Sequence, residues 1–235
     1  MIDIKEKLNT SGILAGIVSL IIPFYGPIKT FMTFKTLKKN NAPSVLPLIC
    51  AIAYIALPLF AFFVLILSFA SVLAYISNSA YYYDFSYFDY FGAFFLIIPV
   101  CLISFYTIGI ITGVKLKKFL DSEESTNISS KDRFDIAKVA GIYLYFIPFY
   151  VVIKVFTSLE TLNQIDTSIK SLSLALIILI ISSYLILFIP FLQVFVFFIN
   201  LAIFIIQIIL IVKLNGSINT ITLEHGDNSE QFTSY

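Results

Sequence analysis

Long apolar stretches alternate with short polar segments along this chain. The first four apolar stretches, denoted runs A to D, cover residues 12–28, 46–76, 91–114 and 139–153. Residues 172–212 carry no charge, which is too long for one helix across a bilayer and suits two, runs E and F, with a turn near Pro190. Runs of this length predict an all-α, polytopic helical membrane protein.

One stretch of the chain occurs twice. Residues 15–37 (AGIVSLIIPFYGPIKTFMTFKTL) and 140–162 (AGIYLYFIPFYVVIKVFTSLETL) agree at 12 of 23 positions at a shift of 125. About two matches are expected by chance from average residue usage. We therefore predict two internally repeated units, each with one short broken run followed by two long runs.

The polar segments divide the chain into four parts. Membrane repeat unit 1 is predicted over residues 1–120 and membrane repeat unit 2 over residues 138–214. Between them lies a charged linker, 121–137, and after them a polar tail, 215–235, which is predicted to be disordered.

Runs A and D decide how many times the chain crosses the membrane. Both are short for a span, and Pro23 and Pro148 interrupt them. If both runs cross, there are six spans and the units are inverted. If both are re-entrant or interfacial helices, there are four spans and the units are parallel. The sequence leaves both alternatives open.

Composition and charge place the chain in a membrane and orient it. It is 59% hydrophobic and 12% charged, whereas a soluble domain has about 25% charged residues. The net charge of +1 excludes nucleic acid as a partner and leaves the lipid bilayer. Lysines gather between runs A and B and around the linker, but loop 77–90 has none. The linker is therefore predicted to be cytoplasmic, and loop 77–90 to lie outside the cell membrane.

Two lysines and two prolines form the first candidate site. Lys29 and Lys154 stand six residues after Pro23 and Pro148, at equivalent positions of the two units. Broken apolar segments at matching positions often mark a transport site, and two lysines there would attract an anion or a phosphate headgroup. The alternative is that each lysine extends from a helix end to the membrane surface.

A stripe of amide side chains in run F forms the second candidate site. Gln193, Asn200 and Gln207 recur every seven residues, which keeps them near one face of a helix. The stripe should face protein or water, either as the lining of a transport path or as a helix–helix contact. In run C, Gly109 and Gly113 are spaced for a close helix contact.

The chain lacks the residue sets of an enzyme or a metalloprotein. Cys50 and Cys101 lie inside apolar runs, and His225 is the only histidine, so no metal site is predicted. Asp84 and Asp89 in the outward loop have no catalytic partner nearby in sequence. No nucleotide or cofactor motif is present, so we predict neither a cofactor nor catalysis.

Two functions agree with these features. The first is a transport or channel component for an ion or small solute. The second is a non-catalytic protein that binds a partner in the membrane, either another membrane protein or, as a homo-oligomer, its own copy. Assembly subunits, accessory subunits and immunity-type proteins that block a membrane-active toxin belong to this class. The lack of an intramembrane carboxylate favours the second, because coupled transporters usually need one. The duplication, the matching proline breaks, the matching lysines and the amide stripe favour the first, and transport is the function that we predict from the sequence.

Overall fold

Nine α-helices make up the part of the chain that the structure describes, residues 3–78, 86–187 and 193–224 of a computed structural model. No strand occurs in these ranges, which confirms the all-α prediction. The helices are Ile4–Val18 (α1), Tyr25–Lys39 (α2), Val45–Asn78 (α3), Ser86–Asp121 (α4), Ser130–Leu144 (α5), Tyr150–Thr157 (α6), Leu159–Ile165 (α7), Thr167–Leu187 (α8) and Gln193–Glu224 (α9).

Four of these helices are long and apolar enough to cross a membrane. Their apolar segments are Val45–Val64 in α3, Pro99–Asp121 in α4, Thr167–Ile186 in α8 and Gln193–Thr222 in α9. Mean hydropathy ranges from 1.6 in α4 to 3.0 in α9. Since about 20 helical residues cover the ~30 Å hydrocarbon core, this part of the chain has the helices of a multi-pass membrane protein, as predicted.

The most buried contact joins α1 and α5. A Cβ atom added at Gly16 would come within 3.0 Å of the carbonyl oxygen of Lys138. A Cβ atom added at Gly141 would come equally close to the carbonyl oxygen of Ile13. This approach needs small residues four positions apart. They are Gly12 and Gly16 on α1, and Ala137 and Gly141 on α5. The backbones of the two helices therefore touch, with no space between them for another group.

Helix α5 packs along α4, and it begins beside the polar C-terminal end of α4. At the start of α5, Arg133 donates to the carbonyl oxygen of Leu120, 3.1 Å away. Farther along, Leu144 packs against Gly113, and the ring of Phe146 covers Gly109. The glycine pair of run C thus makes close contacts with the end of α5 and with the break that follows it, and both lie inside the apolar segment of α4.

Helices α1 and α5 both end in a proline-containing break of the same geometry. Phe24 and Phe149 adopt left-handed backbone conformations, with φ of 60° and 59°. Bulky side chains rarely adopt this conformation, so its occurrence at equivalent positions marks a specific turn. Pro23 and Pro148 contribute no N–H that would need an acceptor. The break closes with backbone bonds from Ile22 to Ser19 and Tyr25 to Ile22, and from Ile147 to Leu144 and Tyr150 to Ile147.

Several helix bounds differ from the predicted divisions of the chain. Helix α5 already begins at Ser130, inside the segment assigned to the linker, and α9 continues to Glu224, inside the segment assigned to the tail. The turn near Pro190 and residues 79–85 of the loop predicted to face outward, including Asp84, lie outside the described residues, as do 225–235 with His225.

Candidate functional site

Lys29 on α2 forms an ion pair with α5. Its ammonium nitrogen lies 2.7 Å from Oδ1 of Asp135, and its side chain is 14% exposed. The pair joins the second helix of one predicted unit to the first helix of the other. The charge of Lys29 is therefore balanced within the chain rather than by solvent.

Lys154 on α6 occupies the equivalent position but has a different partner. Its ammonium donates a hydrogen bond to Oγ1 of Thr10 on α1 at 3.3 Å. Thr10 and Asp135 are themselves equivalent at the shift of 125, so the two contacts are reciprocal. Burial lowers the pKa of Lys154, and the nearby charge of Lys117 lowers it further.

The structure thus gives the two lysines separate partners. Pro23 and Pro148 lie exposed in the two breaks, six residues before the lysines. A single anion site shared by Lys29 and Lys154 stays a prediction.

Lys138 is a buried cation that the sequence analysis did not single out. It lies in α5 with 9% of its surface exposed, and its nitrogen is 4.5 Å from the centre of the Phe134 ring. Burial, together with the charge of Lys29, lowers the pKa of Lys138 to about 8, although Asp135 opposes the shift. The ammonium therefore lies over the Phe134 ring, and Asp135, which is paired with Lys29, partly offsets the cost of its burial.

Lys138 should make stability depend on pH. Its folded-state pKa of about 8 lies below 10.5, the ordinary pKa of a lysine in water, so the unfolded state binds the proton more tightly. The free energy of unfolding should rise as pH increases from 8 to about 10. Thermal unfolding in detergent measures this, and Lys138→Met should remove part of the rise. An identical pH dependence in parent and variant would contradict it.

Arg133 is a structural residue that the sequence analysis missed. Its side chain is 2% exposed and donates to the Ser125 carbonyl at 2.6 Å, to Ser125 Oγ at 2.7 Å and to Asn9 Oδ1 at 3.1 Å. With the bond to Leu120, it ties the end of α4, the following turn and α1 to α5. The sequence feature that could have indicated this role is the residue type. Arg133 is the only arginine in the chain, and a guanidinium can donate to several fixed acceptors at once.

The amide stripe lies on the outside of the bundle. Gln193 and Asn200 are exposed and Gln207 is half-buried. Among the described residues none of the three amides has a hydrogen-bond partner. Asn200 is 13 residues from Lys213, or about 20 Å along the helix. It therefore lies deep in the apolar segment of α9 without a hydrogen-bond partner among the described residues.

A narrow apolar cleft lies between α2, α3 and α5. It encloses about 10 Å³, which is about the space of one water molecule. Tyr143 in its wall donates to the carbonyl oxygen of Pro47 at 2.9 Å and lies 3.1 Å from Thr30 Oγ1. Because the polar group of this wall is already bonded and the cleft is so small, we assign it no ligand.

Comparison with protein-family models, with curated proteins and with solved structures finds no match for this chain.

Proposed function

We propose that this chain is a multi-pass protein of the cell membrane built from two related units, with four spans and two re-entrant helical hairpins. The hairpins are α1–α2 and α5–α6. Support for the duplication comes from the reciprocal contacts of Lys29 and Lys154 and from the matching φ angles at Phe24 and Phe149. A common ancestor explains why a strained conformation recurs at one shift of 125 residues.

The depth of the second break favours a re-entrant hairpin. Phe146 packs on Gly109, which is six residues before Lys115, the first charged residue at the polar end of α4. That distance is about 9 Å along a helix, or roughly a third of a ~30 Å hydrocarbon core, so the break enters the apolar layer without crossing it. Helix α6 then turns back, and the last residue before α8, Asp166, pairs with Lys213 near the polar end of α9.

The direction of the two buried helices favours parallel units. Gly12 neighbours Ala137, and four residues later Gly16 neighbours Ile142, so α1 and α5 run the same way. Inverted units would place these equivalent helices in opposite directions across the membrane. Parallel units agree with four spans and with all basic segments on the cytoplasmic side.

Cysteine labelling tests this topology. In a variant lacking both native cysteines, single cysteines at the exposed positions Glu6, Glu124 and Asn219 should react with an impermeant reagent from the cytoplasmic side only. A cysteine at Ser86 should react from outside only. Six spans would be established instead if the cysteines at positions 6 and 219 react from outside while the cysteine at position 124 reacts from inside.

For the function, we infer that the protein binds a partner helix within the bilayer and performs no chemistry. The exposed amide of Asn200 carries this conclusion. Helix α9 is the most apolar of the four long helices. Only 6% of the residues in its most apolar part are buried, against 17% to 22% in the other three helices. An amide in contact with lipid at that depth is unfavourable, so a polar partner from another helix would stabilise it.

Transport is the second candidate, and the matched helix breaks favour it. Discontinuous helices at equivalent positions of two units commonly hold a substrate. A substrate would have to lie between the two units, however, and there the backbones of α1 and α5 are in direct contact at Gly16 and Gly141. Flux of anions into liposomes that contain only this protein tests transport. Flux that is lost in Lys29→Gln and Lys154→Gln would favour it over partner binding.

A photoreactive residue at position 200 tests partner binding. In membranes of cells that express the protein, illumination should produce a protein adduct from position 200. Position 205 is the matched control, because Ile205 is also exposed and lies about 140° around the helix from Asn200. Adducts with lipid alone at position 200, or equal protein adducts at both positions, would overturn the proposed function.

A further inference from the structure

The face of α9 that carries the amides has the spacing of a helix pair. Its residues alternate four and three positions apart: Gln193, Phe197, Asn200, Phe204, Gln207 and Ile211. We call this set the α9 seam. Phe197 is 69% exposed and Phe204 is 46% exposed, so large apolar side chains separate the amides. A repeat of seven with this alternation is the pattern by which two helices pack in a left-handed pair.

The chemistry of the seam is complementary to itself. An amide side chain both donates and accepts hydrogen bonds, so the best partner for an amide at a given depth is another amide. Two copies of one membrane protein share an orientation, and a two-fold axis between parallel α9 helices brings each seam residue opposite its own copy. Residues 193–212 carry no charge, so no like charges oppose this pairing.

We propose that the partner of the α9 seam is a second copy of this chain, bound in parallel through the amides of Gln193, Asn200 and Gln207. This inference rests on the proposed function, that α9 binds a helix within the bilayer. Asn200 is the central contact, because Gln193 lies about 30 Å from Lys213, near the opposite end of the span, and Gln207 is already half-buried.

Disulfide trapping in liposomes of purified protein tests the copy-to-copy contact. Single cysteines at seam positions 193, 197, 200, 204 and 207, in a background without native cysteines, should give dimers on oxidation. Exposed positions outside the seam, Phe198 and Ile205, should give several-fold less dimer at the same low protein-to-lipid ratio. Equal dimer yields at all positions, or no dimer at any, would overturn the proposal.

A second measurement depends on affinity rather than on proximity. Energy transfer between differently labelled copies should show that Asn200→Leu weakens dimerisation about 3-fold, and at most about 18-fold, the range for interhelical hydrogen bonds in membranes. The variant should insert and fold, because it removes a polar group from an apolar helix. Ile205→Leu should leave dimerisation unchanged. Unaltered dimerisation in Asn200→Leu would contradict the role of the amide.

The two proposals can fail separately. If position 200 yields an adduct with a different protein in cell membranes while purified copies do not pair, the partner is another protein and the function proposed above stands. If neither experiment gives a protein adduct, both are wrong.

Discussion

Replacing Gly16 by alanine is expected to separate α1 from α5 and to lower the free energy of unfolding by about 3 kcal/mol or more. The added methyl group would come closer than 3.0 Å to the carbonyl oxygen of Lys138, and a backbone atom cannot move aside as a flexible side chain can. Gly141→Ala should have a similar effect through Ile13. The midpoint of unfolding in detergent measures both.

Gly216→Ala is the matched control. Gly216 lies in α9, and an added Cβ there would have no described atom within 4 Å apart from the backbone of its own helix. Alanine should therefore stabilise the helix by about 0.5–1 kcal/mol, because it loses less conformational freedom than glycine. The double variant of Gly16 and Gly141 should cost less than the sum of the single variants, since both act on one contact. If Gly16→Ala is as stable as Gly216→Ala, α1 and α5 do not pack as described.

Replacing Arg133 by methionine is expected to lower the free energy of unfolding by about 3 kcal/mol. Methionine fills a similar volume but leaves the carbonyl oxygens of Leu120 and Ser125 buried without these donors. Burial also lowers the pKa of Arg133, so part of the lost stability is offset by relief of the desolvated charge. The turn after α4 should become more open to proteases.

Lys131→Met controls for the loss of a positive charge in the same helical turn. Lys131 is exposed, so its replacement should change stability by no more than about 0.5 kcal/mol. Arg133→Lys keeps the charge but has only one donor nitrogen, whereas the guanidinium bonds Ser125 through Nη2 and both Leu120 and Asn9 through Nη1. It should fall between the parent and Arg133→Met. Equal stability of Arg133→Met and Lys131→Met would exclude a structural role for the buried guanidinium.

The contacts of Lys29 and Lys154 show which features a sequence repeat predicts and which it does not. Their equivalence was visible as two letters at a fixed shift. Their partners were not, because Asp135 lies 106 residues from Lys29 in the chain, and Thr10 lies 144 residues from Lys154. Asp135 faces Lys29, whereas Thr10 faces Lys154, so the two lysines differ in charge balance.

The amide stripe also combines one property that the sequence predicts with one that only the folded chain shows. A spacing of seven places Gln193, Asn200 and Gln207 near one face of a helix, whatever surrounds it. Which way this face points depends on how α9 packs against α1 and α8, which involve residues far away in the chain. Only the packed structure shows that Asn200 is exposed, and the proposed partner follows from that exposure.

The sequence by itself determined the helical class, the four long apolar helices and the position of the breaks at Pro23 and Pro148. These features depend on hydropathy and backbone chemistry within about 20 neighbouring residues, which sequence order records directly. The tertiary structure alone decided that α1 and α5 meet through glycines and that Arg133 and Lys138 are buried there. Burial depends on contacts between segments distant in the chain, and a charged residue looks the same in sequence whether water or protein surrounds it.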